Sequence, residues 1–204
     1  MPDYRIRKFT QLRRYIAADL YRYMTSTSFR AYLRGWFIPG FRFCVFLRSS
    51  QYLAYSRFRM LYLPVYLIVR LILRHYQFKY GISIHHTCNI GPGLSIGHFG
   101  NIIVNPYAEI GKNCNLAPGV LLGLNFNKKT DRFEYPVIGD FVALSNNAKV
   151  LGGVMLGDWS MVAVSAVVTK DVPENAVVAG LPAEIINYES SRQYVGSFHP
   201  WTLQ

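Results

Sequence analysis

Acid is nearly missing from the first 80 residues of this 204-residue chain: Asp3 and Asp19 are the only carboxylate side chains there, against 15 Lys and Arg. That segment carries a net +13, whereas residues 81–204, with 7 basic and 9 acidic side chains, carry −2. All of the overall excess of +11 therefore sits in one segment, which points to two parts with different surroundings. Cysteine is scarce as well. Cys44, Cys88 and Cys114 are odd in number, far apart and without a CxxC pair. This argues against a disulfide framework or a thiolate zinc site and fits a reducing compartment. No apolar run reaches the roughly 20 residues that a bilayer crossing takes. The opening MPDYRIRKFTQLRRY has charge but no apolar stretch of signal-peptide length, so a cytoplasmic location is expected. There is no GxxxxGK[ST], no GxGxxG placed after a strand, and no ligand cluster for a catalytic metal. His85 and His86 are adjacent, and neighbours on a strand point apart. His199, in the aromatic tail GSFHPW, reads as a packing residue.

What the chain does have is apolar content, 51%, arranged with a beat. Aliphatic anchors recur every six residues: Ile84, Ile90, Ile96; then Val104, Ile110, Leu116, Leu122; then Ile138, Leu144, Val150, Leu156, Val162, Val168. Glycine often follows the anchor, as at Gly91, Gly97, Gly111, Gly123, Gly139 and Gly157, where it could adopt corner dihedrals closed to other residues. Four residues after the anchor the side chain is small or β-branched, and Cys88 and Cys114 take such positions, so burial is expected for both. A period of six suits neither a helix nor a simple alternating strand. It suits a chain that runs straight, turns a corner and repeats, burying little until its coils stack.

Residues 82–187, with IGHFGNIIVNPYAEIGKNC, AKVLGGVMLG and SAVVTKDVPENAVVAGLPAEII, resemble the hexapeptide-repeat acyltransferases. Within that superfamily they resemble most the serine O-acetyltransferase branch, including its exopolysaccharide- and capsule-modifying relatives. The resemblance implies a mainly β fold: a left-handed parallel β-helix behind an α-helical N-terminal segment. It also implies a homotrimer, possibly a higher assembly, with active sites between neighbouring prisms. The parts expected are a basic, aromatic-rich helical segment over 1–80, the β-helix over 81–187 with a loop at 124–137, and a tail over 188–204.

The beat slips twice. Residues 97–103 carry two extra residues, and the step from Leu122 to Ile138 is sixteen where twelve would keep time. The second slip contains GLNFNKKTDRFEYP, too polar to fill a prism face, and is expected to be a loop thrown out from a corner. His98 sits in the first slip. An imidazole can take a proton from a hydroxyl near neutral pH, and by the resemblance His98 is the general base of acetyl transfer, with Gly100 and its neighbours as candidate oxyanion donors. The resemblance places Arg132 and Tyr135 on the acceptor side, and Asn105 is a further candidate for acceptor contact, with an ordinary corner asparagine as the alternative. It places Gly123, Leu124, Ser145, Asn146, Ala163, Val164 and Lys170 along acetyl-CoA, and sets AGLPAEII near its adenine. Three positions depart from the serine acetyltransferase pattern: Gly97 and Ser83 stand where that branch has carboxylates, and Tyr135 where it has a second histidine. What orients His98 is left open among Ser83, Glu109 and a backbone carbonyl.

The lost carboxylates lead to an expected acceptor that is a sugar hydroxyl of a surface polysaccharide or its precursor, with serine O-acetylation as the alternative. An amino-sugar N-acetyltransferase is a nearer variant. A reading of another class is a non-catalytic trimeric scaffold or membrane adaptor. Residues around 30–80, with arginine and aromatic residues beside apolar ones, are expected to touch an anionic inner membrane surface. Nucleic acid is not an expected partner.

Overall fold

The structure is a computed structural model and describes residues 1–203. The six-residue beat becomes a left-handed β-helix of triangular section whose short strands pair in parallel from coil to coil. One face stacks Ile82–Ile84, Ile102–Val104, Leu121–Gly123, Lys149–Leu151 and Val167–Val168. A second stacks Asn89–Ile90, Glu109–Ile110, Val137–Ile138 and Met155–Leu156. The third stacks Asn115–Leu116, Ala143–Leu144, Met161–Val162 and Val177–Gly180, and Ala183–Asn187 turns back antiparallel to close that end. Every anchor is buried, at 3% exposure or less, and the small residues between them are nearly as enclosed, at 5% or less. Each large anchor contributes roughly 1.5–3 kcal/mol of burial, so the column coheres only as a stack.

The register gives the size of each slip. Ile84 pairs with Val104, whereas Ala143 pairs with Met161, so the first slip adds two residues to the coil. Leu122 pairs with Val104, and Ile138, the next anchor, pairs with Ile110. The step of sixteen is thus a single advance from one face to the next, for which six residues suffice. The insertion is larger than the expected beat of twelve implies, because no hexad is hidden inside it. It is also ordered: Asn125–Asn127 and Arg132–Glu134 pair antiparallel as a hairpin, with Phe126 and Phe133 in edge contact.

The glycines after the anchors have a different reason from the one the repeat suggests. None of them has a positive φ. A Cβ on Gly91 would lie 2.6 Å from the Gly111 carbonyl carbon, and one on Gly157 2.5 Å from the Glu174 nitrogen. At Gly91, Gly111, Gly139 and Gly157 glycine is there so that successive coils can approach, whereas Gly97 has open space around it. The left-handed corner positions fall elsewhere, on Asn113, Phe141, Asn147, Trp159, Ser165 and Asn175. Asparagine tolerates that region; Phe141 and Trp159 are held there by stacking on each other, ring centroids 4.0 Å apart.

Four helices precede the prism: α1 (Phe9–Met24), α2 (Phe29–Gly35), α3 (Pro39–Tyr55) and α4 (Leu63–Tyr80). Phe43, Cys44 and Leu47 of α3 and Leu73 and Tyr80 of α4 continue the prism core, so the helices plug its open first coil. A buried ion pair fastens them. The fully buried Arg48 guanidinium donates to Asp19 (2.9 Å), to the Ile90 carbonyl (2.8 Å) and to the Gly91 carbonyl (2.6 Å). Asp19 accepts in turn from the amides of Gly93 (2.8 Å) and Leu94 (2.9 Å). Burial pushes the Asp19 carboxyl up from its ordinary value, and Arg48 and the two amides oppose it. A short helix α5 (Arg192–Val195) and the tail fold back on the prism, with His199 edge-on to Tyr21 at 5.2 Å.

His85 and His86 lie in a turn rather than on a strand, and their rings do not diverge: the centroids are 4.3 Å apart. His85 contacts Thr87 Oγ1 through Nδ1 (2.6 Å) and His86 contacts the Tyr66 hydroxyl through Nε2 (2.9 Å). Among the described residues no group of three or more His, Cys, Asp or Glu converges as a metal site would require. Burial, then the charges of Arg70 and His85, lowers the His86 pKa to about 3. The unfolded chain, with an imidazole near its ordinary value of about 6.5, binds the extra proton first. Stability should therefore fall as pH drops from about 6.5 toward 3. Denaturant midpoints across that range should show the slope, and His86→Phe should flatten it.

Candidate active site

His98 stands at a corner that the two extra residues push outward. The bulge is anchored on both sides. At its entry the Tyr23 hydroxyl accepts from the Ile96 N–H (2.7 Å) and donates to the Ile96 carbonyl (3.2 Å). A Cβ on Gly40 would collide with that same carbonyl, so α3 presses directly on the segment that leads into the bulge. At its exit the Gly119 amide donates to the Gly100 carbonyl (3.0 Å) and the Ile102 amide to Gly81 (2.9 Å). Phe99 leans on Tyr80 at the foot of α4, centroids 5.5 Å apart. Between these anchors Gly97 and His98 are exposed, and no atom lies within 4 Å of where a Cβ on Gly97 or Gly100 would project. Gly100, at φ +127°, occupies a region that favours glycine.

The candidate residues divide between two edges of the prism. The bulge forms the first rung of the edge leading from the third face to the first. Below it, rung by rung, come Ala117–Gly119, then Ser145 and Asn146, then Ala163 and Val164; the amides of Ala117, Ser145 and Ala163 each bond the next coil's strand end. His98 thus heads the edge that carries four of the expected donor-side residues. Asn105, Gly123, Leu124, Arg132, Tyr135 and Lys170 lie on the other edge of the first face. There Asn105 Oδ1 accepts from the Tyr107 amide (3.0 Å), and Tyr107 packs on Tyr135 at 5.0 Å. Arg132 is exposed on the hairpin, which overhangs a groove of about 450 Å³ reaching Thr169, Lys170 and Asp171. Lys170 is paired loosely with Glu184 at 3.9 Å, both exposed.

A three-residue strand, about 10 Å, separates the two edges. A single chain therefore does not bring His98 to Asn105, Arg132 or Tyr135. Of the groups that could orient the imidazole, Glu109 is on the second face, where its carboxylate meets the terminal amine (3.8 Å) and the Asn89 amide (3.4 Å). Ser83, exposed and paired in register with Ile103, is on the first face beside the bulge. Missed from the sequence was Tyr23, one of three tyrosines in α1 and not set apart from the other two by any sequence signal.

No family model matches the chain. A serine acetyltransferase of Bacillus subtilis is 34% identical over 121 residues, which is 59% of this chain and 55% of that protein. One of Synechococcus elongatus is 30% identical over 148 residues, 72% of this chain and 57% of that one. A serine acetyltransferase of Brucella abortus, solved in complex with coenzyme A, matches with a TM-score of 0.64 at 25% identity, covering 86% of this chain and 66% of that one. In sequence over rather more than half of its length, and in fold, the chain is similar to serine acetyltransferases. This hexapeptide-repeat chain spans about half the length of the curated relatives it matches. The expectation of a polysaccharide acceptor is overturned by these relatives, which are named for serine acetylation. Its weakness was physical: the missing carboxylates at positions 83 and 97 say what the acceptor corner lacks, and do not say that it takes a sugar.

Proposed function

We propose that this protein transfers an acetyl group from acetyl-CoA to the hydroxyl of serine, as its relatives' names indicate for them, within a homotrimer. The observation that carries the reading is the exposed His98 at the head of an edge whose later rungs are small and neutral. The thioester arm of the donor runs along that edge past Ser145, Asn146, Ala163 and Val164, and Lys170, from the other edge of the adjoining copy, meets a phosphate. The acceptor residues of the same site come from the other edge of the adjoining copy. Exposed Phe99, Ile103, Tyr107 and Phe133 border the first face and give the copies an apolar seam.

His98 takes the proton from the serine hydroxyl as its oxygen forms a bond to the thioester carbonyl carbon. The C–S bond then breaks with its electron pair on sulfur, and the imidazolium returns the proton to the thiolate. The Gly100 N–H, which has no hydrogen-bond acceptor among the described residues, is the candidate donor to the oxyanion. Arg132 pairs with the serine carboxylate. The ammonium finds no carboxylate at positions 83 or 97, so serine is held weakly, with a KM toward about 1 mM or above.

The test is thiol release from acetyl-CoA by the purified protein, with L-serine varied and the product identified by mass. Serine-dependent release with one acetyl added to the serine oxygen is expected. Binding of coenzyme A without any serine-dependent release would overturn the serine acceptor.

A further inference from the structure

We propose that the helical segment docks on an anionic lipid surface through the outward side of α4 and the end of α2. This does not rest on the acetyl-transfer reading. Only Leu73 and Tyr80 of the 18 residues of α4 are buried. Val65, Ile68, Leu71 and Phe78 follow one another at helical spacing and are 51–75% exposed, and Leu61, in the turn ahead of the helix, is 76% exposed. On α2 and its exit, Phe29 and Phe37 are 77% and 79% exposed. The ends of α2 and α4 meet on α3: Arg42 lies 5.8 Å from both the Trp36 and the Tyr76 rings, and Phe46 packs against the same two. Beside them an almost wholly apolar groove of about 450 Å³, lined by Leu33, Trp36, Phe37 and Phe41 among others, opens between the helices. It is of a size to accept hydrocarbon.

Charge selects the occupant. Between Asp19 and Glu109 the chain has no acidic residue and ten basic ones. Of these only Arg48 is neutralised by an ion pair among the described residues. Arg57 and Arg59 are exposed just ahead of α4, and Arg74 and Lys79 are exposed along its last turns. A second copy presenting the same surface would set cations against cations with no carboxylate to pair them. Lipid phosphates supply the missing negative charge, while the apolar stripe enters the acyl boundary. No helix among the described residues is long and apolar enough to cross a bilayer, so the segment lies on the surface.

The experiment is flotation of the full chain with phosphatidylcholine vesicles, with and without phosphatidylglycerol, at low and high salt, alongside light scattering of the protein alone. Retention on the anionic vesicles, at least about tenfold weaker on neutral ones and weakened by salt, is expected. Ile68→Glu with Leu71→Glu should abolish it while leaving the assembled mass and the circular dichroism unchanged. Failure of the wild type to float with anionic vesicles, or flotation of the double variant like the wild type, would overturn the proposal. If the wild type ignores vesicles and the double variant's mass falls, the surface belongs to a second copy instead.

Discussion

Replacing His98 by alanine should lower kcat for acetyl transfer by about 10²- to 10⁴-fold, the usual contribution of a positioned general base. The KM for acetyl-CoA should change little. The side chain is exposed and makes no hydrogen bond among the described residues, so its removal should cost the fold almost nothing. That separation makes the measurement clean: circular dichroism, assembled mass and coenzyme A affinity should match the wild type. A folded variant with full activity would remove His98 from the chemistry. Absence of activity in the wild type with any hydroxyl acceptor would favour the non-catalytic scaffold.

The largest effect on stability should come from the Asp19–Arg48 pair. Arg48→Met should destabilise the protein by about 3–5 kcal/mol, since it leaves a carboxylate buried without its counter-charge. It also strips the Ile90 and Gly91 carbonyls of their donor. For a chain of this size the thermal midpoint should fall by about 10 °C or more. The paired variant Asp19→Asn with Arg48→Met should lose less than the sum of the single changes, because each single change strands the partner that the other removes. Equal and additive losses would mean that the pair does not fasten the helices to the first coil.

The hexad beat made the prism legible, because one wrong face would put an Ile or Val outside and the pattern does not allow it. It could not say how many faces an interruption skips. Between Leu122 and Ile138 the spacing alone was compatible with a hidden hexad, and only the pairing of Ile138 with Ile110 shows a single advance. The glycines were legible as special but not for the right reason: Gly91 and Gly111 serve close coil contact, a long-range matter that local dihedral preference does not reveal. Asp19 could have been singled out, as the last acid before Glu109, yet its partner 29 residues away is set by how α1 and α3 cross. His98 was legible because it interrupts a rhythm. Its remoteness from Arg132 and Tyr135 was not, since a repeat in one dimension does not say which edge of the prism each residue occupies.

Mixing two inactive variants measures that division most directly. His98→Ala spoils one edge of each subunit, and Arg132→Ala with Tyr135→Phe spoils the other. Refolded together in equal amounts, cyclic trimers should regain about a quarter of wild-type activity, because one seam in each mixed trimer joins two intact edges. Activity no greater than that of the two variants assayed apart would contradict an active site built between copies.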